Sequence, residues 1–347
     1  MLGERYRYHL PSEKRPVGQT RGTDLEPQRP IRIALPFEPE GGSVNVYLFV
    51  EPEPVLIDAG FNSPAGWAAL QAGLASHGLS PADLSRVVIT PPHVDHYGLA
   101  AAMTRAGPAE VWMAEVGSDW LRNFPAQQQR RIDYYRDDFL PGLALSSDLS
   151  ESMLHWMQGA LAAWQPIPGE RIHAFPVNRA LMLGGVAWQV LHLLGHDSQL
   201  TAFYQPDRRQ LLSTDALMIP TATPVVEAPP PGQPRPPALP QMVNSLQRLA
   251  ELEVDQVYPG HGEPFGDHRT VIQSQLRRIE ERKEECYRHL VAGARTVAEL
   301  FPLLYGARDG LVGPAGLWMA VGYLDLLVAE GRVEAVRHER VWRFSPR

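Results

Sequence analysis

A chain of 347 residues exceeds one small domain and can bury a large core with an appendage, so two domains are expected. Cys286 is its only cysteine, which excludes an internal disulfide and clustered-thiolate metal sites, leaving any metal to His and carboxylate. The net charge of -7 weighs against a polyanion as obligatory partner, and no secretory leader or run of eighteen apolar residues stands out, so a cytoplasmic protein away from membranes is expected.

Residues 1–30 are polar, rich in Pro and Arg, and lack an apolar period, which reads as an extended surface arm. Strand-forming runs follow at Val44–Val50 and Pro54–Ile57, after a turn at Gly41–Gly42. Trp67–His77 reads as a helix closed by Gly78, and Arg86–Thr90 as a buried strand stopped by Pro91 and Pro92. This alternation is that of a layered α/β fold. From about 117 to 170 the period turns helical, with Met153, Trp156, Met157, Ala160, Leu161 and Trp164 on one face, which reads as a helical insertion. Strands resume at Ala187–Leu193, Thr201–Tyr204 and Gln210–Leu212, followed by a Pro-rich loop at 224–240 that holds eight prolines. A helix over Leu239–Leu252 and a strand over Gln256–Tyr258 come next. The tail from 269 to 347 reads as three helices and a hairpin across Arg332–Phe344.

Chemistry concentrates in four turns. Thr90-Pro91-Pro92-His93-Val94-Asp95-His96-Tyr97-Gly98 places two imidazoles and a carboxylate on one short loop at the end of a buried strand. Three later turns, each after an apolar run, add Gly195-His196-Asp197-Ser198, Ser213-Thr214-Asp215 and Pro259-Gly260-His261-Gly262. Imidazole nitrogen and carboxylate oxygen suit Zn²⁺, Mn²⁺ or Fe²⁺, and two such ions a few Å apart need a bridging acid, for which Asp215 is the candidate. The chain has no glycine-rich phosphate loop, no dinucleotide fingerprint and no cysteine cluster to support a different mechanism.

This order resembles the metallo-β-lactamase superfamily, whose signature is T-H-x-H-x-D-H followed by G-H, an Asp and G-H. The likeness spans roughly residues 31–268 and implies an αββα sandwich as the catalytic domain. Val44-Asn45-Val46-Tyr47-Leu48 and Leu56-Ile57-Asp58-Ala59-Gly60 resemble the opening strands, with Asp58 implied as the acid that orients the metal loop from behind. The tail resembles the winged helix of the branch holding lactamase-like protein 2, a mitochondrial endoribonuclease, and glyoxalase II-like thioester hydrolases. Residue by residue, the likeness implies a first metal position held by His93, His196 and Asp215, and a second held by Asp95, His96, Asp215 and His261. Pro91 stands where the family has its first His. One tight site and one weak or empty site are therefore expected, with zinc the first choice of metal. His192, four residues before His196, is read as structural.

The implied reaction is hydrolysis by an ion-activated water, with Asp95, His96 and Asp215 at the chemistry. Trp120, Phe124, Tyr134, Tyr135, Phe139, Met153, Trp156, Met157 and Trp164 of the insertion are read as a roof over the site or as core; a roof points to a small acyl substrate, a thioester, carboxylic ester or lactone. Two alternatives stand beside this: a metal-dependent endoribonuclease or other phosphodiesterase, and a lapsed enzyme that keeps the fold for binding because of Pro91. Residues 266–347 carry 13 Lys plus Arg against 11 Asp plus Glu, a balance that disfavours nucleic acid and leaves core packing or a homodimer as the tail's role.

Overall fold

The computed structural model describes residues 29–37, 42–177, 179–306 and 313–347. Residues 1–28 of the expected arm and Gly41 of the expected turn lie outside these. The strands β1 (Ile31–Phe37), β2 (Gly42–Phe49), β3 (Val55–Ile57), β4 (Arg86–Ile89), β5 (Glu110–Ala114) and β6 (Ile172–Phe175) form one sheet in that order. A second sheet among the described residues runs β11-β10-β9-β8-β7, from β7 (Ala180–Leu183), β8 (Val186–His192), β9 (Thr201–Gln205), β10 (Gln210–Thr214) and β11 (Gln256–Pro259).

Why these segments read as continuous apolar runs follows from the layers. In β2, Val44, Val46 and Leu48 pack with Leu70 and Leu74 of helix α1 (Pro64–Ala75), while Tyr47 and Phe49 point the other way to meet Trp188, Phe203 and Tyr258 of the second sheet. The Phe49 and Trp188 rings lie edge to face at 5.9 Å. A strand covered on both faces has no polar face to show, which removes the alternation that a half-exposed strand displays. Helices α2 (Val94–Tyr97) and α3 (Ala100–Ala106) follow β4. The outer face of the second sheet is covered by α7 (Ala238–Ala250), completing the αββα sandwich.

The insertion consists of α4 (Glu115–Tyr134), α5 (Leu140–Leu143) and α6 (Ser147–Ala163). The tail gives α8 (His268–Val291), α9 (Val297–Tyr305), α10 (Gly313–Ala329) and a hairpin of β12 (Val333–His338) with β13 (Val341–Pro346). Helix α9 starts on a capping box in which the Thr296 hydroxyl accepts from the Glu299 N–H and the Glu299 carboxylate accepts from the Thr296 N–H. The tail does not enclose a core of its own. Leu239 and Met242 of α7, Ile272 of α8, Trp318 and Leu324 of α10, and Tyr135, Met153 and Met157 of the insertion all belong to one apolar cluster.

Of the two readings of the insertion, roof and core, that packing favours core for four of the residues named. Tyr135, Phe139, Met153 and Met157 are at most 5% exposed, so they fill the core and line no open cleft. Trp120 and Trp164 flank Phe124, which lies against Tyr97 behind the metal loop. An apolar stripe at helical spacing looks the same whether it roofs a cleft or fills a core.

Candidate metal centre

Every turn singled out above follows the C-terminal end of a strand. β3 and β4 run parallel, as do β10 and β11, and β8 lies two antiparallel steps from β10 and so points the same way. Their ends therefore open on one edge of the sandwich, the usual place for a site in layered α/β folds. His93 occupies the extended residue before α2, and Asp95 and His96 lie within that short helix.

The structure brings the six expected ligands together in two groups. Ligand atoms of His93, His196 and Asp215 lie within 4.8 Å of one another, and so do those of Asp95, His96 and His261. Asp215 joins them: its Oδ2 stands 3.1 Å from His96 Nε2 and 3.3 Å from His196 Nε2, and its Oδ1 is 3.8 Å from His261 Nε2. His93 Nδ1 lies 3.1 Å from His196 Nε2, so the Pro91-Pro92 pair leaves His93 aimed at the centre.

Each imidazole is held from behind by an oxygen acceptor. His96 Nδ1 is 2.9 Å from Asp58 Oδ2, His196 Nδ1 is 2.8 Å from the Thr223 carbonyl, and His261 Nδ1 is 2.8 Å from the Ser43 carbonyl. His93 Nε2 is 3.1 Å from Asp197 Oδ2. A proton on the rear nitrogen satisfies each of these acceptors and leaves a bare lone pair on the forward nitrogen of the neutral ring. The forward lone pairs then face one another and acceptor-only carboxylates, an arrangement stable only with a positive charge between them. Asp215 Oδ1 is buried with no hydrogen-bond partner, which is what a group reserved for a cation looks like. The donor set fits divalent metal ions that take nitrogen and oxygen ligands.

The electrostatics say the same. Burial alone pulls the His261 imidazole down, but the Asp215 charge and the Asp95 contact override it and lift its pKa to about 9. His96 is raised well above its ordinary value against burial, by Asp215, Asp95 and Asp58. Conversely, burial pushes Asp215 up, yet the charges of His96 and His261 hold it well below the carboxylate range, and Asp95 is held at about 2 by His96 and His261 in the same way. Protons take the place of cations here, and a metal would displace them.

Asp58 holds His96 from a left-handed backbone (φ 62°). The Thr90 N–H and hydroxyl both donate to it, at 2.9 Å and 2.8 Å. Sequence reasoning passed over the support of the fourth turn. Asn45 Nδ2, fully buried, donates to the Pro259 and Gly262 carbonyls at 2.9 and 2.7 Å, and the Tyr47 hydroxyl donates to Pro259 at 2.6 Å. A lone Asn in an apolar strand was the available signal, since a buried amide needs partners. Asp197 and Glu227, whose carboxylate accepts from the Ser198 N–H at 3.0 Å, were also missed. His192 is structural in its contact, with Nε2 2.8 Å from the Ser198 carbonyl.

Residues 39–261 match the family described as the metallo-beta-lactamase superfamily. The chain belongs to that superfamily. Among curated proteins it is similar to the probable metallo-hydrolase YqjP of Bacillus subtilis (strain 168), at 28% identity over 86% of this chain and 92% of that one. Among solved structures, a metallo-beta-lactamase family protein of Thermus thermophilus shares its fold with TM-score 0.66 at 24% identity, over 92% of this chain and 98% of the other. A beta-lactamase domain protein of Burkholderia ambifaria gives TM-score 0.71 at 21% identity, over 91% of each. These likenesses extend well past residue 261, so the tail is part of what is shared. No helix among the described residues is long and apolar enough to cross a membrane.

Proposed function

We propose that this superfamily member is a cytoplasmic metal-dependent hydrolase of small acyl compounds, a thioester, carboxylic ester or lactone. The observation that carries the reading is the set of rear-anchored imidazoles facing a buried Asp215 oxygen that has no partner. Asp95, His96 and His261, with Asp215, would hold the tighter ion, zinc in the first instance. His93, His196 and Asp215 would hold the weaker one, because Pro91 supplies no ligand. A bound divalent cation lowers the pKa of water and polarises the scissile carbonyl. Asp95, ionised throughout the neutral range, accepts a hydrogen bond from the attacking water and fixes its approach. Asp58 and Thr90 keep the His96 ring from turning.

Two observations support an acyl substrate. Among the described residues, every ion pair of Asp95, Asp197 and Asp215 is made with an imidazole, so these three carboxylates hold no Arg or Lys in place for a phosphoryl group. Phe37 lies 6.3 Å from the His261 ring and 5.4 Å from Phe61, an apolar wall beside the second position. In the tail, Lys283, Arg332 and Arg337 are each paired with carboxylates, which engages these three away from a nucleic-acid backbone. We further propose the division at about residue 268, with the tail as a buttress.

The test is metal analysis followed by a substrate panel. Protein reconstituted with Zn²⁺, Mn²⁺ or Fe²⁺ should retain at least one ion per chain and cleave acyl thioesters or esters, and His96→Ala should abolish both properties. Retention of less than a few tenths of an ion would favour a lapsed enzyme, and cleavage of single-stranded RNA without acyl hydrolysis would favour the nuclease.

A further inference from the structure

The residue that follows His196 in the chain turns back onto His93. Asp197 is 3% exposed. Its Oδ1 accepts from the Gln199 N–H at 2.7 Å, an ordinary turn contact two residues on. Its Oδ2 is different: sealed from solvent, it makes no hydrogen bond of regular geometry among the described residues, and its ion-pair neighbour is His93 Nε2 at 3.1 Å. The opposite nitrogen of the same ring, Nδ1, faces His196 Nε2 at 3.1 Å.

The three other imidazoles of the centre are held by Asp58 or by backbone carbonyls, whereas His93 has only this side chain behind it. It is also the ring next to the gap. With Pro91 contributing nothing, the first position depends on His93, His196 and Asp215, and a half-turn of the His93 ring would replace Nδ1 by carbon and reduce that set to two. We infer that Asp197 is a positioning residue for the first metal position: its carboxylate, against Nε2 of His93, favours a proton on that nitrogen and so keeps the Nδ1 lone pair turned toward His196 and Asp215. The inference rests on the metal-dependent reading above. A carboxylate behind a ligating imidazole also increases the basicity of the ring, which offsets part of the affinity lost with the missing ligand.

Two variants separate this role from that of a turn former. Asp197→Asn can keep its one carbonyl oxygen for the turn but then sets an NH2 donor behind His93 and loses the charge, and Asp197→Ala loses both oxygens. Titration with Zn²⁺ alone, followed by calorimetry, should resolve a tight and a weak step in the parent protein. The weak step is expected to weaken about 10–100-fold in both variants, with the tight step unchanged, and a parental weak step in Asp197→Asn would leave Asp197 only its turn role and overturn the inference. An unchanged weak step in both, or an equal loss of both steps, overturns the inference. Histidine ¹⁵N NMR of the metal-free proteins decides independently of metal uptake: the His93 ring should carry its proton on Nε2 in the parent and lose that preference in Asp197→Ala, and an unaltered His93 spectrum overturns the inference. A parent protein that takes up no Zn²⁺ would sink the hydrolase reading, while the NMR comparison would still judge Asp197.

Discussion

Replacing Asn45 by Ala removes a fully buried amide that ties the first sheet to the turn that carries His261. The side chain gives two donors, to Pro259 and Gly262, and its Oδ1 accepts from Arg32 Nε at 2.7 Å. After the substitution Pro259 still receives the Tyr47 hydroxyl at 2.6 Å, but the Gly262 carbonyl and Arg32 Nε lose their partner. Leaving a buried polar group unpaired costs about 1–3 kcal/mol. Arg32 also pairs with the exposed Glu263 and can turn to water, so the expected loss of stability is about 2–3 kcal/mol in all. At about 2–4 °C per kcal/mol for a domain of some 150–250 residues, the metal-free protein should melt roughly 4–12 °C lower. The turn also slackens, so the tighter metal position should lose affinity because His261 is no longer delivered to Asp95. Circular dichroism melting in chelator, with Zn²⁺ calorimetry alongside, reads both effects. Asn45→Ala that melts with the parent and binds Zn²⁺ as tightly would refute the argument that this amide organises the fourth turn.

Gly260→Ala tests a close approach. An added Cβ would run into Asp215 Oδ1 and sit 3.1 Å from His96 Cε1, although the Gly260 backbone itself is not left-handed. Hydrolysis should fall by about 100-fold through displacement of the carboxylate, and parental rates would show that the centre yields easily. Pro91→His should raise bound metal toward two ions per chain, as read by elemental analysis; unchanged stoichiometry would mean that Pro91 is not what limits the first position. For the metal-free protein, the His261 pKa lies above its ordinary 6.5, at about 9, so the stabilisation it gives is fully present below 6.5 and is lost as pH rises through 9. Its melting temperature should fall across that window, and a flat profile would count against the His261 ion pairs.

The candidate metal ligands were legible because they sit in short turns after apolar strands, where His and Asp have no packing reason to be. Asp197 stands beside His196 in the chain but reads as a turn residue, since Oδ1 does serve the Gln199 N–H and only folding shows what Oδ2 meets. Asn45 was equally visible, in a strand quoted for its likeness to the family, yet its partners lie more than 200 residues away. The strands β5, β6 and β7 escaped notice because each is five residues or fewer and carries few β-branched residues. Helical periods in the insertion and tail were read correctly as helices, but a period reports that one face is apolar and is silent on what that face meets. This is why roof and core read alike in the sequence.

The shared cluster beneath the tail has a consequence for how the chain can be divided. Gly322 of α10 comes so close to Leu239 of α7 that a single methyl group would not fit between them. Trp318 Nε1 donates to the Tyr135 hydroxyl, which donates in turn to the Val226 carbonyl, one residue from the Val225 N–H that is bonded to the His196 carbonyl. Severing the chain near 268 would thus leave a raw apolar scar on the larger fragment and loosen a thread that ends at a candidate metal ligand. The tail should act as a keystone: remote from the candidate centre, yet packed into the core beneath it.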